Sequence, residues 1–147
     1  MRRVGIASAL FYFCAASALG DQVTLKNGDR LTGTVMKSDE KMETLLVKTE
    51  FAGDVKVKWD AVRSIVTTDP LHIALKDGRM IVGTVKTEDG TLDVTTKTAG
   101  EIKAAKEDVT IVRNDAEQTA HDELRRDAAQ ALRDWAANLP EPVVPKY

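Results

Sequence analysis

A mainly β protein that ends in one α-helix is what the sequence predicts, and three observations predict it. Short runs alternating apolar with polar residues fill positions 21–114, and that stretch is one unit written twice. From Asp115 the apolar spacing changes to three and four residues, the period of a helix.

Composition bounds the rest. The chain has 147 residues, 43% hydrophobic and 30% charged, with 21 Lys and Arg against 23 Asp and Glu. That balance excludes a collagen, a polyelectrolyte and a multi-span membrane protein. Only 5% is aromatic, so the core must be built from Val, Leu, Ile, Ala and Thr methyls. A formal net charge of −2 argues against a protein that grips phosphate backbones.

Residues 1–20 read as an export signal. Arg2 and Arg3 form a basic start, residues 4–16 are almost wholly apolar, and Ala16-Ser17-Ala18-Leu19-Gly20 supplies small residues for a peptidase. Cleavage before Asp21 is the expectation, with cleavage after Ala18 as the alternative. The apolar run is shorter than the ~20 residues of a spanning helix, which disfavours a membrane anchor. Cys14 follows Phe13 rather than a small residue, which disfavours lipidation. Cleavage removes the only cysteine and two basic residues, so the mature chain carries −4 and forms no disulfide. An exported chain without cysteine suits the periplasm of a bacterial envelope.

The duplication runs from 21–68 to 69–114. At an offset of fifty, Leu25, Lys26, Gly28, Gly33, Thr34 and Val35 recur as Leu75, Lys76, Gly78, Gly83, Thr84 and Val85. At an offset of 47, Leu45, Val47, Ala52, Gly53 and Val62 face Leu92, Val94, Ala99, Gly100 and Val109. Three extra residues near Lys41-Met42-Glu43 in the first copy account for the change of offset. Each copy opens on a hairpin signal, Asn27-Gly28 or Asp77-Gly78. Face parity selects a three-residue loop pairing Leu25 with Leu31 and Leu75 with Ile81. Gly28 and Gly78 then take the left-handed position of a G1 bulge.

Gly33 and Gly83 fall mid-strand on the inward face, where glycine requires a sharp bend or the close approach of another backbone. Five short strands per copy with such a corner predict tandem SH3-like or Sm-like small β-barrels. A unit of this size is marginal alone, so the copies are expected to pack side by side or share an open sandwich. Asp69-Pro70 marks the seam between them. Phe51 and Trp59 of the first copy become Thr98 and Lys106 in the second.

From Asp115 to Asn138 there is no proline or glycine, and Ala120, Leu124, Ala128, Ala131, Trp135 and Leu139 form an amphipathic stripe. The helix is placed at 115–139, capped by Asn114 or Asp115, and ended by Pro140, Pro142 and Pro145 in a tail over 140–147. The stripe is expected to pack on the β units; a partner helix or a membrane surface are the alternatives.

Chemistry is sparse. His72 and His121 lie 49 residues apart without metal-ligand spacing, no serine sits in a nucleophile elbow, and Gly28 and Gly33 flank a hairpin rather than a phosphate loop. Lys26, Arg30, Lys56 and Lys58 make a modest basic face without interleaved aromatics. No enzymatic activity, cofactor, metal or nucleic acid is therefore expected, and a membrane is engaged at most peripherally. The candidate partner contacts are Phe51, Trp59, Asn27, Arg30, Leu124 and Trp135, because large aromatics on a small domain anchor partners. Gly28, Gly33, Gly78 and Gly83 are structural.

The stretch Asp21 to Asn114 resembles the amino-terminal region of the Gram-negative "domain of unknown function 481" outer-membrane family. The residues that carry the likeness are Asp21 to Gly33, Ala52-Gly53, Trp59, Val62, Ile65 and Asp69-Pro70-Leu71. The resemblance implies an envelope location and no assigned enzymatic activity. That family continues into a transmembrane β-barrel, whereas the 33 residues after Asn114 read as helix and tail. The expectation is a non-catalytic periplasmic binding or adaptor module whose partner is an envelope protein. The alternatives are a structural accessory subunit of an outer-membrane protein and, if the leader is not cleaved, an Sm-like RNA-binding protein.

Overall fold

The computed structural model describes residues 20–142. The leader with Cys14 and the last five residues, Pro145 among them, lie outside the described residues. The first copy supplies β1 (Asp21–Leu25), β2 (Arg30–Ser38), β3 (Thr44–Thr49), β4 (Gly53–Lys58) and β5 (Val62–Val66). The second supplies β6 (Leu71–Leu75), β7 (Met80–Glu88), β8 (Thr91–Thr96), β9 (Gly100–Ala105) and β10 (Val109–Asn114). One-turn 3-10 helices, Trp59–Ala61 and Lys106–Asp108, precede β5 and β10, and α1 (Asp115–Ala137) follows directly.

Neither copy closes on itself. The ring runs β1–β5–β7–β6–β10–β2 and back to β1, so each copy contributes three strands to one six-stranded barrel. The small barrel read for each copy is thus a single barrel shared by two. The ribbons β3–β4 and β8–β9 continue outward from β2 and β7. Core side chains come from both copies: Val23, Val35, Leu45, Val47 and Ile65 join Ile73, Leu92, Val94 and Val112 in one cluster.

The two seams are narrow, and side chains complete them. β5 meets β7 at Val66 and Lys86, and β10 meets β2 at Arg113 and Lys37, one register pair each. Beside the first seam the Thr67 amide donates to the Val85 carbonyl (2.9 Å), while the Val85 amide donates to Thr67 Oγ1 (2.8 Å). Beside the second, Ser38 Oγ accepts from the Val112 amide (2.9 Å). Asp21, 2% exposed, accepts from the Val35 amide (2.8 Å) and the Thr68 amide (2.9 Å), tying β1 to β2 and to the inter-copy linker. Buried amides left without such partners are costly.

The hairpins have the expected three-residue loops, with register displaced by two. Val23 faces Leu31 and Ile73 faces Ile81, where Leu25 and Leu75 were expected opposite them. Each loop starts one residue earlier, at Lys26 or Lys76, and the ladder closes with the Leu25 amide donating to the Asp29 carbonyl. The reason is glycine's position. Gly28 (φ +92°) and Gly78 (φ +87°) occupy the last loop residue, where the left-handed conformation falls. Starting the loop at Asn27 would force Asp29 into it. Face parity is unchanged by a shift of two, so the same side chains remain inside.

Gly33 and Gly83 answer to a close approach. A Cβ on Gly33 would collide with the Lys48 carbonyl of β3, and one on Gly83 with the Thr95 carbonyl of β8. The three extra residues of the first copy lie in the β2–β3 connection, residues 39–43, where the second copy turns on Asp89-Gly90 alone.

Helix α1 does not pack along the β units, contrary to the expected packing. β10 runs into it without a linker residue, and Asn114 is both the last residue of β10 and the cap, accepting from the Glu117 amide (2.9 Å). Only the first turns touch the barrel, through Lys37–Glu117 (3.1 Å) and His72–Asp115 (2.6 Å), and no residue of α1 is buried. The described segment has no helix long and apolar enough to cross a membrane.

Two outcomes test the shared barrel. Urea unfolding should show one cooperative transition for both copies, and a piece limited to residues 21–68 should not fold. Thr67→Val, which keeps the shape and strands the Val85 amide, should lower stability by about 1–3 kcal/mol with an unchanged m-value.

Candidate functional site

A large concavity lies where the two copies face each other. It holds about 540 Å3 and is lined by repeat-related pairs, Lys26 with Lys76, Trp59 with Lys106, and Asp60 with Glu107. Equivalent residues meet at one place only on the axis that relates the copies, so the cleft straddles that axis. Local backbone bonds position each lining element in the same way twice. The Lys26 amide donates to the Ala61 carbonyl and the Lys76 amide to the Asp108 carbonyl (2.9 Å each). Trp59 N donates to the Glu43 carbonyl as Lys106 N donates to the Gly90 carbonyl.

Symmetry breaks at Trp59 and Lys106. Lys106 Nζ lies 4.8 Å from the centroid of the Trp59 ring and donates to the Trp59 carbonyl (2.6 Å) and the Val62 carbonyl (2.7 Å). A cation over an indole face, with two carbonyls on the same ammonium, fastens the second copy to the first. Burial holds the Lys106 ammonium below its usual pKa of 10.5; Lys26 adds to the lowering and Asp60 opposes it. The cleft mixes lysines with Glu40, Asp60 and Glu107, so it presents no single sign of charge.

The structure does not bring the β-body contact candidates together. Trp59 is 6% exposed and belongs to the core, with its remaining edge in the cleft. It is therefore no protruding anchor. Phe51, in the turn between β3 and β4, is 94% exposed. Asn27 spends its side chain on its own turn, donating to the Asp29 carboxylate (2.8 Å) and accepting from the Asp29 amide (3.0 Å). Arg30 lines a different groove, beside Arg63 and Lys86. Leu124 and Trp135 are 69% and 64% exposed on α1, joined there by Leu132 and, just past its end, by Leu139.

His72 and His121 stay apart. His72 pairs with Asp115 across the strand–helix junction, and His121 lies beside Asp122 on α1. Among the described residues no group of three His, Cys, Asp or Glu side chains converges as a metal site would.

Lys26 was read only as part of a solvated basic face, and Lys76 and Lys106 were not read as site residues. The signal was present in the offsets: Trp59 and Lys106 are equivalent, and equivalents near a two-fold axis touch.

Trp59 and Lys106 carry two predictions. In a Trp135→Phe background, acrylamide should quench Trp59 little, and Lys106→Ala should raise its quenching. Lys106 binds its proton more weakly folded than unfolded, so stability should rise with pH between the lowered value and 10.5; Lys106→Met should remove that increment. No known family, curated protein or solved structure matches this chain.

Proposed function

We propose that this chain is a non-catalytic binding and adaptor module of the bacterial cell envelope that docks through α1. One observation carries the reading: a 23-residue helix leaves the barrel with Leu124, Leu132 and Trp135 all more than half exposed. Soluble helices ordinarily bury such a stripe, and a helix of isolated apolar residues earns its stability by covering them. The helix carries six acidic residues and three arginines, which suits a protein partner better than an anionic membrane surface.

The export-like leader and the resemblance of residues 21–114 to the periplasmic part of the "domain of unknown function 481" family support the location. The mixed charge of the central cleft, where the Lys106 ammonium is spent on the Trp59 and Val62 carbonyls, supports a binding rather than a catalytic role.

Cell fractionation with sequencing of the mature N-terminus tests the location: a periplasmic chain beginning at Asp21 is expected, and an intact Met1 in the cytosol overturns it. Leu124→Ser with Trp135→Ser tests the docking. The unfolding midpoint of the β body should hold within about 0.5 kcal/mol, as for exposed sites, while the chain loses its association with the envelope. Unfolding of the β body by the same pair would show α1 to be an internal brace and sink the docking reading.

A further inference from the structure

We propose that the groove over the β5–β7 seam binds the phosphate monoester of a small polyol. No residue of α1 lines this groove, so the site stands apart from the docking reading.

The groove holds about 390 Å3, the lower end for a small-molecule site, and is lined from β1, β2, β5 and β7. Register sets Arg30 opposite Thr24 and Thr24 opposite Ser64, with Arg63 the extra residue at the register shift beside them. Across the seam Lys86 faces Val66. Arg30, Arg63 and Lys86 are exposed, and none forms an ion pair among the described residues. Like charges gathered on neighbouring strands destabilise a sheet, and an anion between them removes that cost.

The other half of the barrel shows how such a lysine is satisfied. At the β10–β2 seam the register pair is Arg113 with Lys37, the repeat equivalents of Val66 and Lys86. There Glu117 of α1 sets its carboxylate on Lys37 (3.1 Å). No helix follows β5, so the first seam has no counterpart to Glu117. Divergence between the copies points the same way. Arg30, Thr24, Arg63 and Ser64 correspond to Met80, Ala74, Thr110 and Ile111, so the two arginines stand only beside the seam that lacks a carboxylate.

A buried hydroxyl without a partner lines the same groove. Ser38 faces Leu45 as Thr87 faces Leu92, which makes the two equivalent. Ser38 Oγ accepts from the Val112 amide at its seam. Thr87 is 2% exposed, and its Oγ1 has no hydrogen-bond partner among the described residues. The β5–β7 ladder is one register pair wide, so the strands part beyond it and the groove reaches in to Thr87. Its hydroxyl is free to donate to a ligand oxygen.

The lining selects the ligand class. Two arginines and a lysine exceed the charge of one carboxylate and suit the dianion and three oxygens of a phosphate monoester. Glu88 and Asp89 line the β7–β8 end. They repel a second phosphate and accept from hydroxyls, which favours a polyol ester over a polyphosphate.

Glycerol 3-phosphate is the probe, titrated by calorimetry at low salt into the protein purified from its own cells. Saturable binding at one site is expected, about tenfold tighter than acetate or pyrophosphate. Arg30→Gln and Arg63→Gln should each weaken it about tenfold with the unfolding midpoint unchanged, while Lys56→Gln on β4 should have no effect. Thr87→Val should weaken binding without lowering the midpoint, because the hydroxyl bonds nothing in the protein. No saturation by about 10 mM overturns the site, as does an equal loss with Lys56→Gln. Tighter binding of pyrophosphate overturns the polyol ester, and a lowered midpoint in Thr87→Val overturns the role of that hydroxyl. Sedimentation with vesicles of phosphatidylcholine and phosphatidic acid, reversed by glycerol 3-phosphate, would assign the phosphate to a lipid headgroup. Binding of the soluble ester without the vesicles would assign it to a free ligand.

Discussion

Two seams, each a single register pair wide, hold the barrel shut, and the fold depends on the side chains that finish them. Thr67 and Ser38 lend hydroxyls to the amides of Val85 and Val112, where the ladder between copies has no further strand pairs to give. Asp21 does the same within the first copy and reaches on to Thr68 in the linker. Among the described residues, these three and Thr87 are the buried polar side chains. A buried amide with its partner removed costs the whole desolvation of that group, so three short side chains decide whether six strands close. Interdependence follows. Each copy without the other is an open five-stranded sheet, three of whose strands belong to the ring, with its apolar face uncovered.

Closure by two-fold repetition also makes the central cleft. Residues near the axis meet their own equivalents, so any divergence between copies at such positions becomes a contact between unlike groups. Trp59 and Lys106 show the consequence. A tryptophan on both sides would crowd the axis, and a lysine on both would set two ammonium groups together. The unlike pair instead gives a ring face for the cation and two carbonyls for its protons. Divergence of the duplicated halves at this point is a packing solution, and it leaves the cleft polar and mixed in sign rather than shaped for one ligand.

The direct passage from β10 to α1 has the opposite effect at the other end of the chain. A loop would have let the helix fold onto the sheet. Without one, the cap at Asn114 and the pairs at Asp115 and Glu117 aim the helix away, and its Leu and Trp residues remain in water. The first turn is polar where it touches the barrel, and the apolar stripe begins only beyond it. The functional reading of the molecule therefore rests on a junction of zero residues.

Sequence alone determined the local structure. Alternation and the repeat gave five short strands per copy, the change of period at Asp115 placed the helix, and Gly33 and Gly83 marked either a sharp bend or a close backbone approach, of which the structure shows the approach, to Lys48 and Thr95. Those features are short-range, set by residue type and by neighbours within a turn or a strand. Partnership between elements was not legible. Alternation says which face of a strand is apolar, not which strand lies beside it, so one shared barrel and two separate barrels have the same pattern. The hairpin register needed the left-handed glycine to be fixed at the end of its loop. The burial of Trp59, the bond of Lys106 to it and the exposure of Leu124 and Trp135 were likewise decided by tertiary structure. In each case the deciding quantity was the distance to an element remote in sequence: near enough at the two-fold axis to cover an indole, and too far along the arm to cover a stripe.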